Sequence, residues 1–267
     1  MRLFFLAFDG LDPILVSKWK LKHLLQKKWT SYQSSDEKLT PFLWASIITG
    51  LPPEEALPTV HSVLPKNPIF KWVKEHIPWL RGRGLGRLVK RRWVDRRDLA
   101  RPSIFDQFNS IVIDFPAYNW FMDFEICTKY PFTEVIGDEI RSEILFSTIL
   151  RHDKYKIQKT ISILNQKDWA PAWDIFAVWI HQTDVVNHLF WNNRKRMLGT
   201  YLRANSYAKK IKSLLPDGTV MIIASDHGSL NGLHRKEGFV SSSMNLDFDL
   251  PKTLTDFYPF LLNILRS

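Results

Sequence analysis

The chain has 267 residues, 45% hydrophobic and 24% charged, enough to bury a core, so a small disulfide scaffold and wholesale disorder are both excluded. Its one cysteine, Cys127, can form no internal disulfide and no thiolate zinc site, so any metal site must use His, Asp and Glu. The formal net charge of +10 favours anionic partners, whether a phosphate-bearing small molecule, nucleic acid or an acidic membrane surface.

The run Arg2 to Phe8 is apolar without alternation, as expected of a strand buried on both faces of a parallel sheet. It stops at Asp9-Gly10 with no small-residue cleavage site, so it reads as a first strand and not as a secretory signal. No stretch approaches the roughly 18 apolar residues of a membrane-spanning helix, and a cytoplasmic location is the expectation. Thr40 opens a helical stretch of about two turns that closes at Gly50.

From Pro52 the texture changes. A proline-spaced stretch to Pro68 leads into a basic segment in which Arg81, Arg83, Arg87, Lys90, Arg91, Arg92, Arg96, Arg97 and Arg101 are opposed only by Asp95 and Asp98. This reads as an insert or cap at about 52–101. Buried-strand runs then recur at Ile111 to Ile113 before Asp114, at Ile175 to Ile180 before Asp184, and at Val220 to Ala224 before Asp226. Between the last two, Met197, Tyr201, Tyr207, Ile211 and Leu215 fall mostly at helical spacing, closed by Pro216-Asp217-Gly218. Strand, helix, strand is the unit of a parallel α/β sheet, whose ligands sit beyond the carboxyl ends of the strands. The expectation is a single α/β domain over 1–267, with a mostly parallel central sheet flanked by helices and a small basic insert.

The candidate chemistry sits at those strand ends and helix starts. Asp184 and His188 are four positions apart, one helical turn, so both can face one ion; the bland alternative is a capping Asp and an unrelated surface His. Asp226-His227-Gly228 follows a buried strand directly, where adjacent side chains fan to opposite sides; an ordinary strand-terminating turn is the alternative. His234 lies in a glycine-bounded loop beside it, and Asp9 can be simply the first residue of an Asp-Gly turn. Thr40 is a good helix cap in any protein, but free N–H groups at a helix start also collect phosphate oxygens, and a hydroxyl there can attack a phosphorus held among them. Imidazole and carboxylate donors without thiolate suit two zinc ions best, with manganese as the alternative.

The order and wording of these segments resemble the alkaline phosphatase superfamily, in its type I phosphodiesterase/nucleotide pyrophosphatase branch. The matching pieces are Phe8-Asp9-Gly10, Thr40 nine residues before Thr49-Gly50, Asp184 to His188 with Phe190-Trp191, Ser225 to Gly228, Gly232 to Gly238, and Leu254 to Tyr258. The resemblance implies that Asp184, His188 and His234 hold one ion while Asp9, Thr40, Asp226 and His227 hold the other, with Thr40 as nucleophile. Two departures stand out: Pro41 follows the nucleophile immediately, and Leu43 occupies the place of an Asn in the nucleotide pyrophosphatases. The stretch from about Pro52 to Arg101 matches nothing in the family pattern, so substrate choice is expected to live there.

The resulting expectation is cleavage of phosphodiesters or nucleotide pyrophosphates by in-line attack of Thr40 and a phospho-threonine intermediate, with no separate general base. A phosphomonoesterase, sulfatase or phosphomutase of the same superfamily is the nearest alternative. From another class comes a basic nucleic-acid-binding protein, with Arg81 to Arg101 gripping phosphates and Trp79 and Trp93 stacking bases. Docking of the same segment on anionic lipid can coexist with catalysis.

Overall fold

The computed structural model describes residues 1–35, 39–58, 63–65, 91–119, 130, 132–166 and 173–267. In chain order these form β1 (Arg2–Phe8), α1 (Pro13–Lys18), α2 (Lys22–Leu25), β2 (Lys28–Gln33), α3 (Thr40–Thr49), α4 (Pro53–Ala56), β3 (Val63–Pro65), β4 (Arg91–Trp93) and β5 (Ser110–Ile113). They continue with α5 (Phe132–Val135), α6 (Glu139–Leu164), β6 (Ile175–Ile180), α7 (Gln182–Leu189), α8 (Arg194–Lys212), β7 (Thr219–Ser225), β8 (Gly228–Leu230), β9 (Leu233–Arg235), β10 (Glu237–Ser242) and α9 (Phe257–Arg266).

The main sheet runs in the order β2-β10-β7-β1-β6-β5. β1 is parallel to both β6 and β7, and β5 is parallel to β6, while β10 is antiparallel to β7 and β2. Register matters most for function. Phe8 of β1 stands opposite Ile180 of β6 and Ser225 of β7, so the residues that follow, Asp9, His181 and Asp226, leave the sheet side by side at one carboxyl edge.

The apolar runs are continuous because both faces of the sheet are covered. Along β1, Phe4, Leu6 and Phe8 pack into one core with residues of α6, α7 and α8, and Leu3, Phe5 and Ala7 into a second core under α3 and α9. This is the period-two alternation of a strand with two buried faces. α6 buries Leu145, Phe146, Ile149, Ile157 and Thr160 at helical spacing, and on the same stripe it buries Asp153 and Lys156.

The ends of the 52–101 stretch return to each other. β3 pairs antiparallel with β4, and Ala56, Leu57 and Val94 pack on Phe42, Ala45 and Ala117. Trp79, Arg81 to Lys90, Cys127 and the side chains of Arg91 and Trp93 lie outside the described residues. Of the basic residues that are described, Arg92 is bonded to Asp98 by two nitrogens at 2.5 and 2.8 Å, Arg97 is paired with Asp95 at 2.6 Å, and Arg101 lies over the Tyr258 ring at 4.7 Å. Among the described residues no helix is long and apolar enough to cross a membrane.

Candidate metal centre

Asp9, Asp184, Asp226 and His227 are all buried; the end of β1 places Asp9, α7 places Asp184, and the end of β7 places Asp226 and His227. Gly10 makes the approach of α7 feasible: its φ is +61°, and a Cβ there would stand 2.9 Å from the Asp184 Cα. α7 then ties itself to the end of β1, since the Thr183 hydroxyl donates to the Asp9 carbonyl and Asn187 Nδ2 donates to the Gly10 carbonyl at 2.6 Å. The end of β7 is held from both sides. Tyr32 of β2 donates its hydroxyl to the Ser225 carbonyl at 2.7 Å, Ser34 donates to the Asp226 carbonyl, and the Leu11 amide donates to Ser225 Oγ at 2.7 Å.

These supports bring the acidic and imidazole groups into two overlapping clusters. Ligand-capable atoms of Asp184, His188 and His234 lie within 4.8 Å of one another, as do those of Asp9, Asp184 and His227, so Asp184 is common to both. His188 Nε2 is 3.1 Å from Asp184 Oδ1 and 3.0 Å from His234 Nε2. His227 Nε2 is 3.2 Å from Asp9 Oδ1 and 3.7 Å from Asp226 Oδ2. Thr40, half-buried at the opening, donates its hydroxyl toward both Asp9 oxygens at 3.4 Å.

The hydrogen bonding points to cations. His188 Nδ1 lies 2.7 Å from the Gly232 carbonyl and His227 Nδ1 lies 2.9 Å from the Gly228 carbonyl, which assigns the N–H to Nδ1 in each neutral ring. The Nε2 lone pairs then face carboxylate oxygens. Asp184 Oδ1, Asp226 Oδ2 and His227 Nε2 are buried without a hydrogen bond among the described residues. Donor atoms that converge on one another with nothing to share are the pattern a bound cation resolves.

Without a metal, protons take that place. Burial pulls the His227 imidazole down, but the Asp226, Asp9 and Asp184 carboxylates outweigh it and hold it at about 10. Asp184 raises His188 against the opposing effect of burial. Asp184 itself is lowered, because His188, His227 and His234 overcome its burial, whereas burial and the Asp9 charge raise Asp226. Burial and the neighbouring His227 cation lower His234 to about 4.

Residues 3–242 match the sequence model of the type I phosphodiesterase/nucleotide pyrophosphatase family. The chain belongs to that family. No curated protein matches it by sequence. Among solved structures, phosphonoacetate hydrolase from Sinorhizobium meliloti is 14% identical with a TM-score of 0.51, over 85% of this chain and 56% of that one. The PH0037 protein from Pyrococcus horikoshii is 12% identical with a TM-score of 0.50, over 99% and 96%. Murine ectonucleotide pyrophosphatase/phosphodiesterase 5 is 15% identical with a TM-score of 0.47, over 85% and 57%. The chain thus spans little more than half the length of the hydrolase and of the murine protein. The fold is the mostly parallel, helix-flanked α/β arrangement of the alkaline phosphatase superfamily.

All seven residues singled out from the sequence of this phosphodiesterase-family chain meet at one place, though not all in the form expected. Thr40 is not the helix cap: Leu39 holds that position and Thr40 is the first residue of α3. The expected supply of free amides at that helix start is also reduced, since Pro41 has no N–H and the Phe42 and Leu43 amides are bonded to the Leu39 carbonyl. Asp184 lies inside α7 and caps nothing. The residue missed is His181, whose Nε2 is 3.7 Å from Asp9 Oδ2 and 4.0 Å from Asp184 Oδ2. It follows β6 directly, at the same edge as Asp9 and Asp226, and that position was the available signal.

Proposed function

We propose that the chain hydrolyses phosphate esters, of phosphodiester or nucleotide-pyrophosphate type, with Thr40 as the nucleophile beside two divalent cations. Asp184, His188 and His234 would hold one cation, and Asp9, Thr40, Asp226 and His227 the other. Zinc suits this imidazole-rich, thiolate-free donor set best, with manganese as the alternative. Bound there, the cations would lower the pKa of the Thr40 hydroxyl and stabilise charge on the phosphoryl and leaving oxygens.

The chain's own residues supply position. The Thr40 hydroxyl donates to the Asp9 carboxylate at 3.4 Å, and Thr40, His188 and His234 are half-buried where Asp9, Asp184, Asp226 and His227 are buried. Attack of Thr40 Oγ on phosphorus breaks the ester bond to the departing group and leaves a phospho-threonine. Water then attacks that phosphorus, releasing the phosphoryl product and restoring the hydroxyl. Substrate choice is assigned to the 52–101 stretch.

The observation that carries this reading is the convergence of buried, hydrogen-bond-deficient donor atoms on Asp184, with the Thr40 hydroxyl 3.4 Å from Asp9. The test is Thr40→Ala, assayed with a chromogenic phosphodiester, phosphomonoester and sulfate ester, each with zinc or manganese supplied. Loss of at least a thousandfold in kcat on the preferred ester is expected, and wild-type turnover would remove Thr40 from the mechanism. The rank order of the three esters separates a diesterase from a phosphomonoesterase or sulfatase.

A further inference from the structure

α7 carries Asp184 and His188, yet its own first residues do not cap it. His181 stands at the cap position with helical backbone angles, φ −100° and ψ −22°, and its side chain makes no capping bond. The acceptor comes from α6. The Asp153 carboxylate accepts the His181 amide at 3.2 and 3.1 Å and the Gln182 amide at 2.7 Å. Asp153 is fully buried, and so is Lys156 one helical turn on, whose ammonium is 3.4 Å from Asp153 and 2.8 Å from Asp114 at the end of β5.

A second path runs through side chains. Lys156 Nζ sits 4.8 Å from the centre of the Trp179 ring, and that ring packs on the His181 ring with centroids 4.8 Å apart. His181 then faces Asp9 and Asp184. Three charges withdrawn from water are costly, and apolar side chains of similar volume would stabilise the core as well or better. What they provide that apolar groups cannot is a fixed negative charge on the start of one helix, bonded to two of its amides.

We propose that Asp153, held by Lys156 and Asp114, is a positioning residue for the metal centre. It sets where α7 begins, and so where the Asp184 carboxylate shared by both clusters stands. This rests on the metal reading of the site given above. Groups bonded directly to metal ligands are worth about 10- to 100-fold in affinity, and Asp153, acting through the backbone that leads to Asp184, is expected at the lower end of that range.

The experiment compares full-length wild type with Asp153→Asn, which keeps one acceptor, Asp153→Ala, which keeps none, and Asp138→Ala, which removes the side-chain cap of α6 at Arg141. Zinc dissociation constants are measured by competition with a chromophoric chelator, the visible spectrum of the cobalt-loaded protein is recorded, and the metal-free melting temperature is taken. Asp153→Ala is expected to weaken zinc at least tenfold and shift the cobalt bands, Asp153→Asn to fall between it and wild type, and Asp138→Ala to lower only the melting temperature. If Asp153→Ala does not fold, Asp153→Asn carries the comparison alone and must weaken zinc severalfold. Asp153 variants that melt earlier but bind zinc within twofold of wild type, with unchanged cobalt bands, overturn the positioning role and leave the metal site intact. A wild-type chain that takes up no metal overturns both.

Discussion

Metal uptake by this site must displace protons, and the size of the effect follows from His227. Its imidazole is held at about 10 by the surrounding carboxylates, three units above neutral pH. At 1.36 kcal/mol per unit, freeing its Nε2 for a metal at pH 7 costs about 4 kcal/mol. Each proton displaced makes the apparent association constant rise about tenfold per pH unit, so between pH 7 and 9 His227 alone predicts about a hundredfold gain. Calorimetric titration of metal-free protein with zinc, in buffers of different ionisation enthalpy, should show release of at least one proton at pH 7. The metal-free protein should behave in the opposite sense. Its His227 is raised above the ordinary value of 6.5, so the stability it contributes is fully present below pH 6.5 and is lost as pH rises through about 10. The chelator-treated chain should therefore melt progressively earlier from pH 7 to 10, and the zinc-loaded chain should not. A binding heat that ignores the buffer, with affinity flat from pH 7 to 9, would refute the placement of His227 among the ligands.

Gly10→Ala forces a side chain onto a positive-φ residue and a Cβ to 2.9 Å from the Asp184 backbone; a loss of about 2–4 kcal/mol is expected in urea unfolding. Tyr32→Phe removes the hydroxyl that donates to the Ser225 carbonyl at 2.7 Å but keeps the ring against Gly238. It should cost about 1–3 kcal/mol of stability in the same assay. Lys156→Met leaves Asp114 and Asp153 buried without the ammonium that lies between them, a loss of about 3–5 kcal/mol. The double variant Lys156→Met/Asp114→Asn should regain part of it; if it is no more stable than the single variant, Asp114 and Lys156 are not energetically coupled.

Several parts of this site that were legible in the sequence share one cause. A strand buried on both faces is written as an unbroken apolar run, so the acid or imidazole that ends it stands out, as Asp9 does after Phe8 and Asp226-His227 after Ser225. Asp184 and His188 were legible through helical spacing. His181 had the same positional mark as Asp9, but its relation to Asp9 depends on the pairing of β1 with β6, and inter-strand register is not a property of either segment alone. Tyr32 and Ser34 were hidden for a different reason. β2 reads Lys-Trp-Thr-Ser-Tyr-Gln, a polar edge strand whose buried tyrosine acts by reaching a carbonyl nearly 200 positions away along the chain.

Asp153 and Lys156 were hardest to see, because a charged pair three apart on a long helix is ordinarily a solvated one. What turns them inward is the geometry of β5 and β6, which brings the Asp114 carboxylate beneath α6 and the open amides of α7 beside it. A buried charge is tolerable only where its partners are already in place. The cost of Lys156 in the core is thus tied to the same strand ends that collect Asp9, Asp184 and Asp226. Removing the lysine should be felt at the metal centre through Asp153, whose carboxylate is bonded to the His181 and Gln182 amides.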